Sequence, residues 1–310
     1  MKICLAGEGA QGISHADALR TIGGIEIDTL AGGIAADAEA FAQEREIPHW
    51  SLDLEECLSR DGVEAVILTT PNQVHCNQVE LALSMGKHVL VEIPMGISLE
   101  ESQRVAILEE QTGMVCMVCH TQRYNATFAE VYRRLQQGEL TLHHIVQQTY
   151  FFRRRNENRF GKKRTWVDAL LWHQACHMVD MCYWLLDDPG MEAWGQAGPL
   201  HKELGVPMDI SIGMRTADGR LVTSANSFNN HGPIQSEYRF IGEEQTLLVQ
   251  QGKLTDHEGT QIELPASGGI ATHDREFFAA IAEGRQPLTS CRACLPTMEI
   301  LDRIQRSIDA

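Results

Sequence analysis

The chain opens on Met1-Lys2-Ile3-Cys4-Leu5-Ala6, an apolar run that stops on Gly7-x-Gly9-x-x-Gly12 and continues as the helix-like Ile13-Ser14-His15-Ala16-Asp17-Ala18-Leu19-Arg20. Few folds accept that order. The tight turn calls for Gly7, the approach of a pyrophosphate to the backbone for Gly9, and close packing of helix on strand for Gly12. The helix N-terminus is then aimed at the phosphates. A glycine-rich turn alone says little, but one set between a strand and a helix specifies a dinucleotide site. Gly7, Gly9, Ala10, Gln11 and Gly12 are its expected backbone contacts.

Over the first 120 residues, strand-like and helix-like segments alternate. Strands are expected at 2–7, Ile25–Ala31, Ala65–Thr69, His88–Glu92 and Met114–Cys119. Helices are expected at Ala35–Glu46, Leu54–Arg60, Asn77–Met85 and Leu99–Thr112. Such alternation predicts a parallel sheet with right-handed crossovers and ligands at the carboxyl ends of the strands. Beyond residue 120 come short strand candidates, Ile145–Phe152, Met208–Arg215, Arg220–Phe228, Ser236–Gly242 and Thr246–Gln250, linked by turns such as Ala217-Asp218-Gly219. These favour an antiparallel sheet, covered on one face by helices near Asp168–Leu186, Phe277–Glu283 and Leu295–Ser307. The expected class is α/β: a doubly wound Rossmann domain over 1–120, then an α+β domain over 121–310 with an open, mostly antiparallel sheet. The border falls near His120–Asn125.

With 310 residues, two domains can each bury a core. A net charge of −16 argues against nucleic acid or an anionic membrane as the main partner. No apolar run reaches the roughly 18 residues of a membrane helix, and the first strand leaves no room for a signal peptide, so a cytoplasmic location is expected. Cys116-x-x-Cys119 and Cys291-x-x-Cys294 suggest zinc knuckles. The first pair sits on a strand, where residues an odd number apart point to opposite faces, and the second has no histidine close by in sequence. No metal is expected, and the nine cysteines read as reduced thiols.

Three further strings join the glycine motif: Thr69-Thr70-Pro71-Asn72-Gln73-Val74-His75, Gly86-Lys87-His88-Val89-Leu90-Val91-Glu92-Ile93-Pro94, and Trp172-His173-Gln174-Ala175-Cys176-His177-Met178-Val179-Asp180. Together they resemble the glucose–fructose oxidoreductase, inositol dehydrogenase and rhizopine-catabolism (Gfo/Idh/MocA) family, across essentially the whole chain. The resemblance implies a Rossmann domain, a C-terminal open sheet whose face covers the nicotinamide, and hydride transfer between NAD(P) and a hydroxyl or hemiacetal carbon. It also implies a homodimer. A narrower resemblance rests on Thr149-Tyr150-Phe151-Phe152-Arg153-Arg154-Arg155-Asn156, on Trp166 with Leu170-Leu171-Trp172-His173, and on Ser227-Phe228-Asn229-Asn230-His231-Gly232-Pro233. It implies oxidation of the cyclic hemiacetal of a carboxylated ring-cleavage semialdehyde, usually with NADP.

Two departures matter. The family usually has Glu-Lys-Pro where this chain has Glu92-Ile93-Pro94, so the lysine's roles do not carry over. At the end of the second strand, where an acid would accept the ribose 2′-hydroxyl and repel a 2′-phosphate, stand Ala31-Gly32-Gly33. With neither carboxylate nor arginine in the segment, Gly32 and Gly33 leave space and backbone N–H groups. NADP is therefore expected, with NAD possible. Thr69, Thr70 and Asn72 are expected beside the nucleotide, Glu92, Ile93 and Pro94 at the nicotinamide corner, and His75 either at the ribose or in a structural role.

Oxidising a hemiacetal needs a base for the hydroxyl proton. His173 and His177 stand four apart, and Asp180 three further on, so a helix would set all three on one side, with Asp180 as the carboxylate that fixes the tautomer of the base. His177 is expected as base with His173 assisting, the reverse also being open. A metal site and a pair of core histidines are the competing readings. Arg153-Arg154-Arg155, Arg159, Lys162-Lys163 and Arg164 form the one dense basic stretch of an acidic chain. Such a run is commonly just a solvated loop, but Arg153 and Arg155 share a strand face, and bidentate contacts there would suit a small dicarboxylate substrate. Arg123, near the domain border, is a further candidate, as is Trp166. A sugar or polyol dehydrogenase of the same family and a catalytically silent NADP-binding sensor are the alternatives.

Overall fold

The computed structural model describes residues 1–157, 161, 163–164, 166–265 and 269–310. Arg159 and Lys162 of the basic stretch lie outside the described residues. In chain order the first elements are β1 (Lys2–Ala6), α1 (Ala10–Leu19), β2 (Glu26–Ala31), α2 (Ala35–Glu44), β3 (His49–Ser51), α3 (Leu54–Leu58), β4 (Val63–Leu68), α4 (His75–Ser84), β5 (His88–Val91), α5 (Leu99–Thr112) and β6 (Cys116–Val118). There follow α6 (Ala126–Gln136), β7 (Leu142–Tyr150), α7 (Cys176–Leu186), β8 (Glu192–Ala197), β9 (Asp209–Arg215), β10 (Leu221–Ser227), β11 (Gln235–Gly242), β12 (Thr246–Gln250), β13 (Lys253–Thr255), α8 (Ile270–Glu283) and α9 (Cys291–Asp309). None of the helices is long and apolar enough, among the described residues, to cross a membrane.

The chain folds as two compact units. In the first, six parallel strands run in the order β3-β2-β1-β4-β5-β6. Ile3, Cys4 and Leu5 of β1 and Val66, Ile67 and Leu68 of β4 are fully buried, as strands covered on both faces must be. Sheet order reverses between β1 and β4, and the glycine loop stands at the carboxyl end of that switch point. The unit is not contiguous in sequence: it comprises Met1–Thr121 and also Gly268–Leu295. α8 packs on α1, where buried Asp274 meets buried His15.

The second unit holds a seven-stranded sheet, β13-β12-β11-β7-β10-β9-β8, in which only the β7–β10 pair is parallel. Inward residues alternate along β7, with Leu142, Ile145, Gln147 and Thr149 all buried. The C-terminal part of α9 lies on β8, where a side chain at Gly195 would run into Ile304 and Ile308.

Four elements go beyond the sequence expectation. β3 and β13 have three residues each, too few to show alternation. β8 is interrupted by Gly195, which weakens its strand pattern. α6 is capped by Asn125, whose side chain accepts from the Thr127 N–H, in the segment expected to be the border. The helix expected from Asp168 begins at Leu170, and its first six residues, Leu170–Ala175, form a π-helix before α7.

Candidate active site

Gly7 has φ +103°, and a Cβ there would lie 2.7 Å from Thr69 Oγ1, so the turn admits no other residue. A Cβ on Gly12 would collide with the Gly7 carbonyl. Gly9, the N-cap of α1, is exposed, no side chain caps the helix, and nothing lies within 4 Å of where its Cβ would be. The loop is thus a cradle whose open side is the helix N-terminus, the form a pyrophosphate requires. Thr69 ties the loop to β4, its hydroxyl donating to the Ala6 carbonyl at 2.8 Å and the Gly7 carbonyl at 3.1 Å. Thr70 donates to Gln78, and Asn72 is buried in a 3₁₀ turn.

Of the two roles open to it, His75 takes the structural one. Its ring is buried, with Nδ1 2.8 Å from the Pro94 carbonyl and Nε2 2.8 Å from the Thr70 carbonyl. Both nitrogens are engaged in bracing the turns after β4 and β5, and burial pushes its pKa down.

The corner after β2 also differs from expectation. Gly33 and Ile34 N–H groups do not stand open: both donate to the carboxylate of Glu8, at 3.0 and 3.1 Å from Gly33 and 3.0 Å from Ile34. A carboxylate therefore does occupy this corner, sent across from the glycine loop rather than from β2. Gly32 is fixed by close packing, since a Cβ there would strike Ala38.

At the end of β5, Glu92 accepts from Gln11 Nε2 at 2.8 Å and from the Ile93 N–H at 3.2 Å, and faces His15 Nε2 at 3.3 Å. His15 Nδ1 meets the Asp274 carboxylate at 3.0 and 3.1 Å. Burial opposes a charge on this ring, but the hydrogen bonds it donates to Asp274 and Glu92 prevail and hold His15 up at about 9. The Gln11 side chain is thus tied to Glu92, and buried Ile93 adds only an apolar surface. Nothing in the strings singled out His15 or Asp274, because their partnership joins α1 to α8.

The cysteines fall into separate environments. Cys116 Sγ lies 3.0 Å from Cys291 Sγ, whereas Cys119 Sγ lies 3.9 Å from His15 Nε2 and 3.8 Å from His273 Nδ1. Ligand atoms of His15, Glu92 and Cys119 all lie within 4.8 Å of one another, as in a metal site. His15 and Glu92 also approach each other directly, and His120, Asp180 and Cys294 form a second group of the same kind.

The second unit has a cavity of about 380 Å³ on the inner face of its sheet, in the range of small-molecule sites. Its floor is a buried polar chain: Asn226 Nδ2 donates to Ser224 Oγ at 2.8 Å, Ser224 donates to Gln147, and Gln147 Nε2 donates to Thr149 Oγ1 at 2.6 Å. Gln122, Phe151, Arg153, Gln174, His177 and Tyr238 line the rest of it. His177 and Arg153 are thus brought together. His173 is not part of this lining: its Nε2 lies 3.4 Å from Asp168 Oδ1, and its ring packs on Trp166 at 5.2 Å. His173 lies within the π-helix Leu170–Ala175, and His177 lies in α7 just beyond it.

Asp168, which the sequence reading passed over, is the hub of this corner. Arg153 Nη1 at 2.5 Å and Arg164 Nη1 at 2.7 Å both reach its Oδ2. Two guanidiniums on one carboxylate leave a net positive charge beside the cavity. Arg155 is exposed and does not line the cavity, although it shares a small neighbouring pocket with Arg153, Arg164 and Asp168. Trp166 is sandwiched, with the Arg164 guanidinium 4.9 Å from its ring centre on one contact and His173 on the other.

Arg123 and Asp180 also take roles other than those expected. Arg123 Nε and Nη2 donate to Asp180 at 2.9 and 2.6 Å, and Thr297 Oγ1 donates to the same carboxylate at 2.9 Å. Both are almost wholly buried. The guanidinium is committed to this pair rather than offered to a substrate carboxylate, and Asp180 carries a bidentate ion pair.

Residues 1–120 match the family model described as "Oxidoreductase family, NAD-binding Rossmann fold", and residues 127–267 match "Bacterial oxidoreductases, C-terminal". The chain is 38% identical to the 4-carboxy-2-hydroxymuconate-6-semialdehyde dehydrogenase of Sphingobium sp. (strain SYK-6), over 100% of this chain and 99% of that one. It is 33% identical to a scyllo-inositol 2-dehydrogenase (NAD(+)) of Bacillus subtilis, over 45% of this chain and 41% of the other. Among solved structures, scyllo-inositol dehydrogenase from Lactobacillus casei, with bound NAD(H) and scyllo-inositol, matches with a TM-score of 0.83 at 17% identity, over 100% of this chain and 97% of that one. A levoglucosan dehydrogenase in complex with NADH and levoglucosan matches with a TM-score of 0.87 at 18% identity, over 100% and 97%. With a glycine cradle on a parallel six-stranded sheet, a mixed seven-stranded second unit and a full-length relative above 30% identity, the chain belongs to the Gfo/Idh/MocA family of NAD(P)-dependent dehydrogenases.

Proposed function

We propose that this enzyme oxidises 4-carboxy-2-hydroxymuconate-6-semialdehyde, as its cyclic hemiacetal, to 2-pyrone-4,6-dicarboxylate, a step of protocatechuate 4,5-cleavage. The observation that carries the reading is the pairing of His177 with Arg153 in one cavity of a chain that matches the Sphingobium semialdehyde dehydrogenase end to end. The nicotinamide coenzyme, when bound, supplies the hydride acceptor. His177 takes the hemiacetal hydroxyl proton, a task suited to imidazole near neutral pH. Arg153, backed by Arg164 across Asp168, draws a substrate carboxylate, and the Asn226–Ser224–Gln147–Thr149 floor offers hydrogen bonds to ring oxygens. Ile93 cannot move a proton, which leaves imidazole as the base.

The test is reduced-nicotinamide absorbance with the ring-cleavage semialdehyde and either coenzyme. Rapid reduction supports the reading, and none at any pH overturns it. The neutral amide and hydroxyl floor, together with the scyllo-inositol relative, favours a polyol dehydrogenase as the second reading. Turnover of neutral polyols that survives Arg153→Ala would establish that instead. A homodimer and a cytoplasmic location accompany the proposal by family likeness.

A further inference from the structure

We propose that Glu8 makes this enzyme select NAD over NADP. The inference rests on the glycine loop binding a dinucleotide and is independent of the substrate. In a Rossmann unit the corner beyond β2 decides between the coenzymes: a carboxylate there accepts the ribose 2′-hydroxyls, and a cation there accepts a 2′-phosphate. β2 itself ends on Ala31-Gly32-Gly33, which can do neither. Glu8, the residue between Gly7 and Gly9, fills the vacancy from the neighbouring strand's loop.

Its carboxylate takes the Gly33 N–H at 3.0 and 3.1 Å and the Ile34 N–H at 3.0 Å, directly ahead of α2. These are the donors that would otherwise form an anion nest for a 2′-phosphate. They are spent on an anion the protein carries itself. A ribose hydroxyl can still donate to the remaining lone pairs of Glu8, whereas a phosphate would meet its charge and find the N–H groups taken. No cation offsets this. Between Thr21 and Ser59 the only Lys or Arg is Arg45, held on Asp17 at 2.6 Å and against the Phe41 ring, while Asp37 stands in the first turn of α2.

The experiment is calorimetric or fluorescence titration of the full-length protein with NAD+, NADP+, ADP-ribose and 2′-phospho-ADP-ribose, no substrate being present. The wild type is expected to bind NAD+ and ADP-ribose about tenfold or more tightly than their phosphorylated counterparts, the factor that a charged hydrogen bond commands. Glu8→Gln, which keeps the size and one acceptor oxygen but not the charge, should bring each pair within about threefold. Glu8→Ser, which vacates the corner, should do the same, and circular dichroism checks that both variants fold. Equal or tighter binding of the phosphorylated ligands by the wild type overturns the proposal, as does a preference that both variants keep. Binding of none of the four ligands would overturn the dinucleotide reading beneath it, and failure to oxidise the semialdehyde would touch neither.

Discussion

His15 and Asp274 are 259 residues apart in sequence and meet inside the first unit, both fully buried, with Nδ1 3.0 Å from the carboxylate. The opposite ring nitrogen faces Glu92, so one imidazole stands between two carboxylates at the base of the coenzyme loop. A neutral ring would leave two buried anions sharing one donor, which is why the charged form is favoured despite burial.

The first prediction is a pH dependence of stability. With a folded pKa of about 9 against the ordinary imidazole value of 6.5, the contribution of His15 is fully present below about pH 6.5 and is lost as pH rises through about 9. Its full size is of order 3 kcal/mol, at 1.36 kcal/mol per pH unit. The unfolding free energy of wild type minus that of His15→Gln should therefore shrink between about pH 6 and about pH 10. A difference that stays constant over that range would refute the ionised ring.

The Rossmann unit could be read from the sequence because β1, β4, β5 and β6 are mainly apolar and Gly7, Gly62, Gly86 and Gly113 punctuate the chain between elements. The second sheet was legible from short strand candidates in succession, linked by turns such as Ala217-Asp218-Gly219. Polar residues in inward positions of a strand are themselves a signal of a lined cavity, one that the arginine cluster overshadowed. The π-turn at Leu170–Ala175 has no sequence period of its own, and nothing local signals that His173 turns to Asp168 while His177 lines the cavity. Glu8 and Asp168 act on backbone and side chains reached only through the tertiary fold, and no local pattern announces that.

Arg123 and Asp180 yield a second prediction. Asp180→Asn leaves a buried guanidinium without its counter-charge and should cost about 3–5 kcal/mol in urea unfolding. Thr297→Ala removes one hydrogen bond and should cost about 1 kcal/mol. A double variant, Arg123→Met with Asp180→Leu, should recover much of the first loss, because the pair's desolvation disappears with its attraction. Equal costs for Asp180→Asn and Thr297→Ala would contradict the ion pair.

His177 and His173 should separate kinetically. His177→Ala removes the proton acceptor in the cavity and should lower kcat by about a hundredfold or more, with coenzyme affinity retained. His173→Ala breaks contacts with Asp168 and Trp166 and should act mainly on KM, through the placement of Arg153. Full turnover by His177→Ala would transfer the base to another residue. Coenzyme binding without turnover in the wild type would mark a sensor.

The arginines give the last prediction, since the cavity distinguishes two side chains that the strand pattern treated alike. β7 ends at Tyr150, so the alternation that would align Arg153 with Arg155 no longer applies when the chain reaches them. Arg153 is held by Asp168 with its side chain still 27% exposed and lines the cavity, while Arg155 is exposed and shares with it only the small neighbouring pocket. Loss of a charged contact to a carboxylate is worth about 1.5–3 kcal/mol. Arg153→Ala should therefore raise KM for the semialdehyde by roughly 10- to 100-fold with a smaller effect on kcat. Arg155→Ala should change KM by less than about twofold, as expected of a solvated charge. Steady-state kinetics on the two variants decides the matter: a larger effect at Arg155 would move the anion site out of the cavity, and the assignment of His177 as its base would go with it.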